Sequence, residues 1–152
     1  MTNNDVLRRI RYTFDFSDQE MIDLFEKGSL KVDRSQVSNW LKKDKDPEYK
    51  EIRDRQLAHF LNGFIVLNRG KKDGKNPVAE EILNNNIILR KFKIALKLDD
   101  EDMIEILGMV DVRVSKHEIS AFFRKPGQRQ YRPCLDQFFR NFLSGLQHKY
   151  RK

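Results

Sequence analysis

A single cysteine, Cys134, among 152 residues rules out an intramolecular disulfide and a CxxC metal knuckle. Beside Pro133 it reads as a small buried hydrophobe. No window approaches the roughly eighteen uninterrupted apolar residues of a membrane span. The opening MTNNDVLRRI has no apolar h-region, so a cytoplasmic protein without a membrane partner is expected. No useful run alternates apolar and polar residues, which argues against strands. GxSxG, HExxH and Cys/His nucleophile patterns are all missing. The stretch RGKKDGKN has the Gly and Lys of a phosphate loop but neither the GxxxxGK[ST] spacing nor a preceding strand, and reads as a linker. None of His59, His117 and His148 has a second His or Cys three or four positions away, as a metal pair requires. The expectation is therefore a non-enzyme with no catalytic, cofactor-binding or metal-binding residue.

What is present is a chain 39% hydrophobic and 35% charged, suited to folding in water. Sliding it along itself by 82 residues superimposes Asn3 to Val66 on Asn85 to His148 without a gap. NNDVLRRI lies over NNIILRKF, SDQEMIDLF over DDEDMIEIL, VDRSQVSNWLKK over VSKHEISAFFRK, and FLNGF over FLSGL. The expected organisation is a first repeat over residues 1–68, a linker over 69–84 and a second repeat over 85–152.

Each repeat reads as four helices. Val6, Leu7, Ile10 and Phe14 share one face of the first, echoed by Ile88, Leu89, Phe92 and Leu96. The second opens on a capping box, Ser17 with Glu20, repeated as Asp99 with Asp102. A third follows Asp33 and Ser115. The fourth is expected to start at Asp46-Pro47, an N-cap and N1 pair, and at Pro133 in the copy. Its stripe is Tyr49, Ile52, Leu57, Phe60, Leu61 and Phe64, matched by Leu135, Phe138, Phe139, Phe142, Leu143 and Leu146. Gly63 and Gly145 recur inside it, where Gly costs roughly 1 kcal/mol relative to Ala, which suggests a close helix crossing. The fold class is all-α, a tandem repeat of two four-helix modules expected to pack against each other about a pseudo-twofold axis.

The NN-LR starts, paired MI helices and S-WL-K helix resemble the YehS-like family, bacterial proteins built from two copies of a domain of unknown function. The resemblance covers essentially the whole chain. It implies an all-helical, cytoplasmic bacterial protein and brings no substrate, cofactor or catalytic residue with it.

Function must then be read from charge. The net charge of +7 splits as +1 over residues 1–70, zero over 71–84 and +6 over 85–152, so only the second repeat carries a polyanion signal. VDRSQVSNWLKK looks at first like a recognition helix, offering Arg34, Gln36, Asn39, Lys42 and Lys43. Against this, Asp33 and Gln36 have capping-box spacing, and the echo puts Glu118 and Ala121 where base readers would sit. KGSLKV is also longer than a helix-turn-helix turn. What remains is the basic end: Lys42 and Lys43, matched by Arg124 and Lys125, with Arg129 and Arg132 beyond. These six are the candidate polyanion-binding residues, and Tyr131 among them has a ring suited to stack on an unpaired base, although its echo Tyr49 sits where a core anchor would. Two partners fit: nucleic acid through the basic second repeat, or another protein through apolar side chains that packing leaves uncovered.

Overall fold

The computed structural model describes residues 1–152 and contains eight helices. They are α1 (Asn3–Phe14), α2 (Asp18–Lys27), α3 (Arg34–Leu41) and α4 (Asp54–Arg69), then α5 (Asn85–Ala95), α6 (Asp100–Gly108), α7 (Lys116–Phe122) and α8 (Asp136–Tyr150). There is no strand, only an isolated bridge between Lys72 and Lys75. The chain divides into two compact units, Met1–Leu83 and Asn84–Lys152. The connector lies with the first unit. Its Asn76 amide donates to the Ser29 hydroxyl, Glu81 pairs with Arg55, and the Leu83 N–H donates to Asp54 Oδ2 at 2.8 Å.

Local chemistry sets the helix starts. Ser17, Asp33, Asp99 and Ser115 each accept from the N–H three residues on. Glu20, Gln36, Asp102 and Glu118 reach back to the cap N–H at 2.9 to 3.1 Å, so two orphan donors are satisfied at each start. Thr2 and Asp5 form a further box, which places Asn3 and Asn4 inside α1 rather than before it.

The fourth helix begins later than its sequence suggests. Asp46-Pro47 opens only a turn, with the Tyr49 N–H donating to Asp46 O at 3.0 Å, and α4 starts at Asp54. In the copy, Pro133 likewise precedes α8 by three residues. Tyr49 and Ile52 therefore lie in a loop, where Ile52 is still buried. A cap preference of about 1 kcal/mol is overridden because that loop is held by hydrogen bonds from the start of α1.

In the first unit Phe25 of α2 packs on Phe60 of α4 and Trp40 of α3, with ring centroids 4.9 and 5.2 Å apart. The second unit buries Phe92, Phe139, Phe142 and Leu107. Helices α2 and α4 meet at backbone distance: a Cβ on Gly63 would lie 1.7 Å from Leu24 O, and one on Gly28 1.7 Å from His59 O. Gly145 is in the same position against Ile106 O, at 2.4 Å. The recurring glycine is thus a steric requirement, because a methyl group there forces two helices apart. Gly63→Ala is expected to lower stability by about 3 kcal/mol, the cost of overpacking a backbone contact. Gly108→Ala, with nothing within 4 Å, should stay within about 1 kcal/mol of wild type. Paired urea melts measure the contrast.

Candidate functional site

The segment after the third helix of each unit has no regular structure, yet its backbone is pinned. In the second unit Asn86 Nδ2 donates to Phe122 O at 3.1 Å and Arg132 O at 2.9 Å, while Asn86 Oδ1 accepts from the Cys134 N–H at 2.8 Å. Asn85 Nδ2 donates to Cys134 O and Asp136 Oδ1. Arg90 reaches Phe123 O at 2.7 Å. Two turns, Gln128 N–H to Lys125 O and Tyr131 N–H to Gln128 O, shape the loop between these anchors, with Gly127 at φ 86°. Asn4 makes the same three bonds in the first unit, to Trp40 O, Lys50 O and the Ile52 N–H. Both loops are thus displayed in a defined shape.

The charges they display differ. In the first unit Asp44, Asp46, Glu48 and Glu51 sit among the lysines. Lys42 Nζ donates to Glu48 Oε2 at 2.8 Å and Asn39 Oδ1 at 3.2 Å, and the Glu48 hydrogen bond holds its ammonium above the usual lysine range. Lys43 is exposed. In the second unit residues 119–135 contain no Asp or Glu. Arg124, Lys125, Arg129 and Arg132 are exposed there, and no side-chain hydrogen bond or ion pair holds them within the fold. Four of the six candidates therefore share one loop free of acids, Lys42 is engaged internally, and Lys42 and Lys43 belong to the other unit.

The would-be recognition helix α3 is similarly occupied. Gln36 caps Asp33, Asn39 accepts from Lys42, and Arg34 lies 3.7 Å from Asp18. Its polar face serves the fold. The acidic clusters do the same at helix starts, where the Asp102 backbone N–H keeps the Asp99 carboxyl below the usual range. His59 Nδ1 bonds Gly28 O at 2.6 Å across the α2 and α4 crossing, and His148 lies in the last turn of α8.

A groove that composition alone did not reveal runs beside the basic loop. It encloses about 640 Å³ between Ala121, Phe122, Leu135 and Phe138, with Arg129 and Arg132 at its edge. Phe122 and Phe138 rings are 4.7 Å apart, and Leu135 is 70% exposed. In the first unit Arg53 and Gln56 occupy the positions of Leu135 and Phe138. There the Arg53 N–H donates to Gln56 Oε1 at 2.9 Å, a cap that α8 lacks. The signal was available in the aligned repeats: a polar pair in one copy is an apolar pair in the other.

With this geometry in hand, comparison with known proteins gives a consistent placement. The family described as "Protein of unknown function (DUF1456)" matches residues 3–70 and again 85–152. The chain belongs to the DUF1456 family. Its two matched segments coincide with the duplicated helices, so each four-helix unit corresponds to one DUF1456 repeat. A relative from Escherichia coli (strain K12), "Uncharacterized protein YehS", is 36% identical over 147 residues, spanning 96% of this chain and 94% of that protein. No solved structure matches. No helix is long and apolar enough to cross a membrane.

Cys134 takes the place of Ile52 in the pinned segment and is 4% exposed. Burial pushes its thiol up to about 12, with the Asp136 carboxylate adding to the shift. At pH 8 it stays protonated in the folded protein, and only unfolding restores an ordinary thiol. A disulfide reagent such as Ellman's should leave native protein unmodified at pH 8 and label one thiol per chain after addition of denaturant. Rapid labelling of the native protein would contradict the packing described.

Proposed function

We propose that this DUF1456 protein is a non-catalytic, cytoplasmic, nucleic-acid-associated protein that contacts phosphates through its second repeat. The observation that carries the reading is the acid-free segment of residues 119–135, the end of α7 and the loop after it, in which Arg124, Lys125, Arg129 and Arg132 have no internal partner. Cations at a helix end are favoured by the macrodipole at about 0.3 to 1 kcal/mol each, but Arg129 and Arg132 lie beyond the end of α7 and gain nothing from it. Holding them on a pinned loop limits the backbone entropy lost when a polyanion docks. Lys42 and Lys43 rank below them, since Lys42 is neutralised by Glu48.

A protein-interaction module is the second reading, favoured by Val78 and Ile82 of the connector, which are 87% and 77% exposed. The two readings differ in their response to salt. Nucleic-acid affinity measured by fluorescence anisotropy should fall with a log-log slope of roughly −3, as expected for about four neutralised phosphates. Charge reversal of Arg124, Lys125 and Arg129 together should reduce affinity by at least about a hundredfold and flatten that slope. Binding unchanged by the reversal, or a partner retained after nuclease treatment and high salt, would favour the protein-interaction reading.

A further inference from the structure

The groove of the second unit is not needed to explain phosphate contact. In the first unit the same two positions are filled by Arg53 and Gln56, and the Gln56 side chain accepts from the Arg53 backbone N–H at the start of α4, so the fold has a polar solution at this place and uses it once. The second unit replaces that solution with Leu135, left 70% exposed, and Phe138, whose ring lies tilted by 46° with its centroid 4.7 Å from that of a half-buried Phe122. Two further exchanges open the space: Trp40, 5% exposed, becomes Phe122, and Asn39 becomes Ala121. Losing the Gln56 hydrogen bond costs about 1 kcal/mol and exposing a large aliphatic side chain adds nothing to stability. The change makes sense as recognition.

Resting on the polyanion reading above, we propose that this groove seats an unpaired base of a single-stranded nucleic acid, with the adjacent phosphates on Arg129 and Arg132. The volume of about 640 Å³ falls within the roughly 300 to 1,000 Å³ of small-ligand clefts. Its walls are apolar and aromatic, and its cationic edge complements a phosphate chain. That combination of stacking platform and basic track is how single strands are held, whereas a duplex keeps its bases inaccessible. Gln130 and His117 line the rim with side chains free of internal hydrogen bonds. Glu118 there uses Oε1 to accept from the Ser115 N–H, leaving a second oxygen for an exocyclic amine of the base. A carboxylate at the rim repels phosphate on that side and so leaves the phosphates to the Arg129 and Arg132 edge.

The test uses the full chain and three probes of equal length: a mixed-sequence single strand carrying one 2-aminopurine, the same strand with that base removed, and its duplex. The variant is Phe138→Gln, chosen because Gln56 occupies the equivalent place and caps the preceding N–H, so the helix start is preserved. Wild type should bind the intact single strand most tightly and change the 2-aminopurine emission. Phe138→Gln should lose about tenfold on that strand, the scale of one stacked base, with its salt slope and duplex affinity unchanged. Equal affinity of wild type and variant for the single strand, with salt-dependent binding intact, overturns the groove assignment and leaves phosphate contact standing. Absence of binding to all three probes at low salt overturns both. A groove blind to the single strand that instead binds an acidic, leucine-containing peptide also overturns the base assignment, and makes it a protein-docking site.

Discussion

Everything distinctive in this protein hangs on one buried carboxamide per repeat. Asn4 and Asn86 are 1% and 8% exposed, and each satisfies three backbone groups of a segment that makes no helix or sheet. A loop packed against a core must find partners for its N–H and C=O groups, since each left unpaired costs roughly 1 to 3 kcal/mol. One asparagine, presenting donors and an acceptor together, meets that requirement at three points. It also delays the fourth helix, because residues 50 to 52 and 132 to 134 are committed to α1 or α5 instead of to a helical turn.

On this shared frame the two repeats have diverged in chemistry rather than in shape. The first loop intersperses lysines with Asp44, Asp46, Glu48 and Glu51, and Lys42 is bound to Glu48. The second loop retains the cations and drops the acids. Beside it the capping pair Arg53 and Gln56 has become the apolar pair Leu135 and Phe138. A duplication with one conventional copy and one that gives up the Gln56 hydrogen bond and the Lys42–Glu48 ion pair is an informative internal control, because the fold's own needs are visible in the first copy. What the second copy adds beyond them is the proposed binding surface.

The parts of this architecture that were legible in the sequence are those set by short-range rules. Capping boxes at Ser17, Asp33, Asp99 and Ser115 depend on residues three apart, and all four form. Gly63 was readable because a glycine in a helix interior has a local cost that recurred at Gly145, and both prove to face the backbone of a neighbouring helix. Gly28, the other side of the same crossing, ends α2, where a glycine is common and carries no local signal of a close approach. The start of the fourth helix was misread because Asp46-Pro47 satisfies a local rule, while the hydrogen bonds that override it come from Asn4, more than forty residues away. The groove was missed for a related reason: Leu135 and Phe138 fit a core stripe by periodicity, and only packing leaves Leu135 outside.

The claim on which the account depends is that Asn86 holds the basic loop, and amide hydrogen exchange tests it at single residues. In Asn86→Ala the Cys134 N–H, which donates to Asn86 Oδ1 at 2.8 Å, should lose protection by at least about tenfold, along with the Arg132 N–H bonded to Ala121 O. Amides in the middle of α8, such as Phe142, should stay protected. Unchanged exchange at Cys134 in the variant would contradict the account.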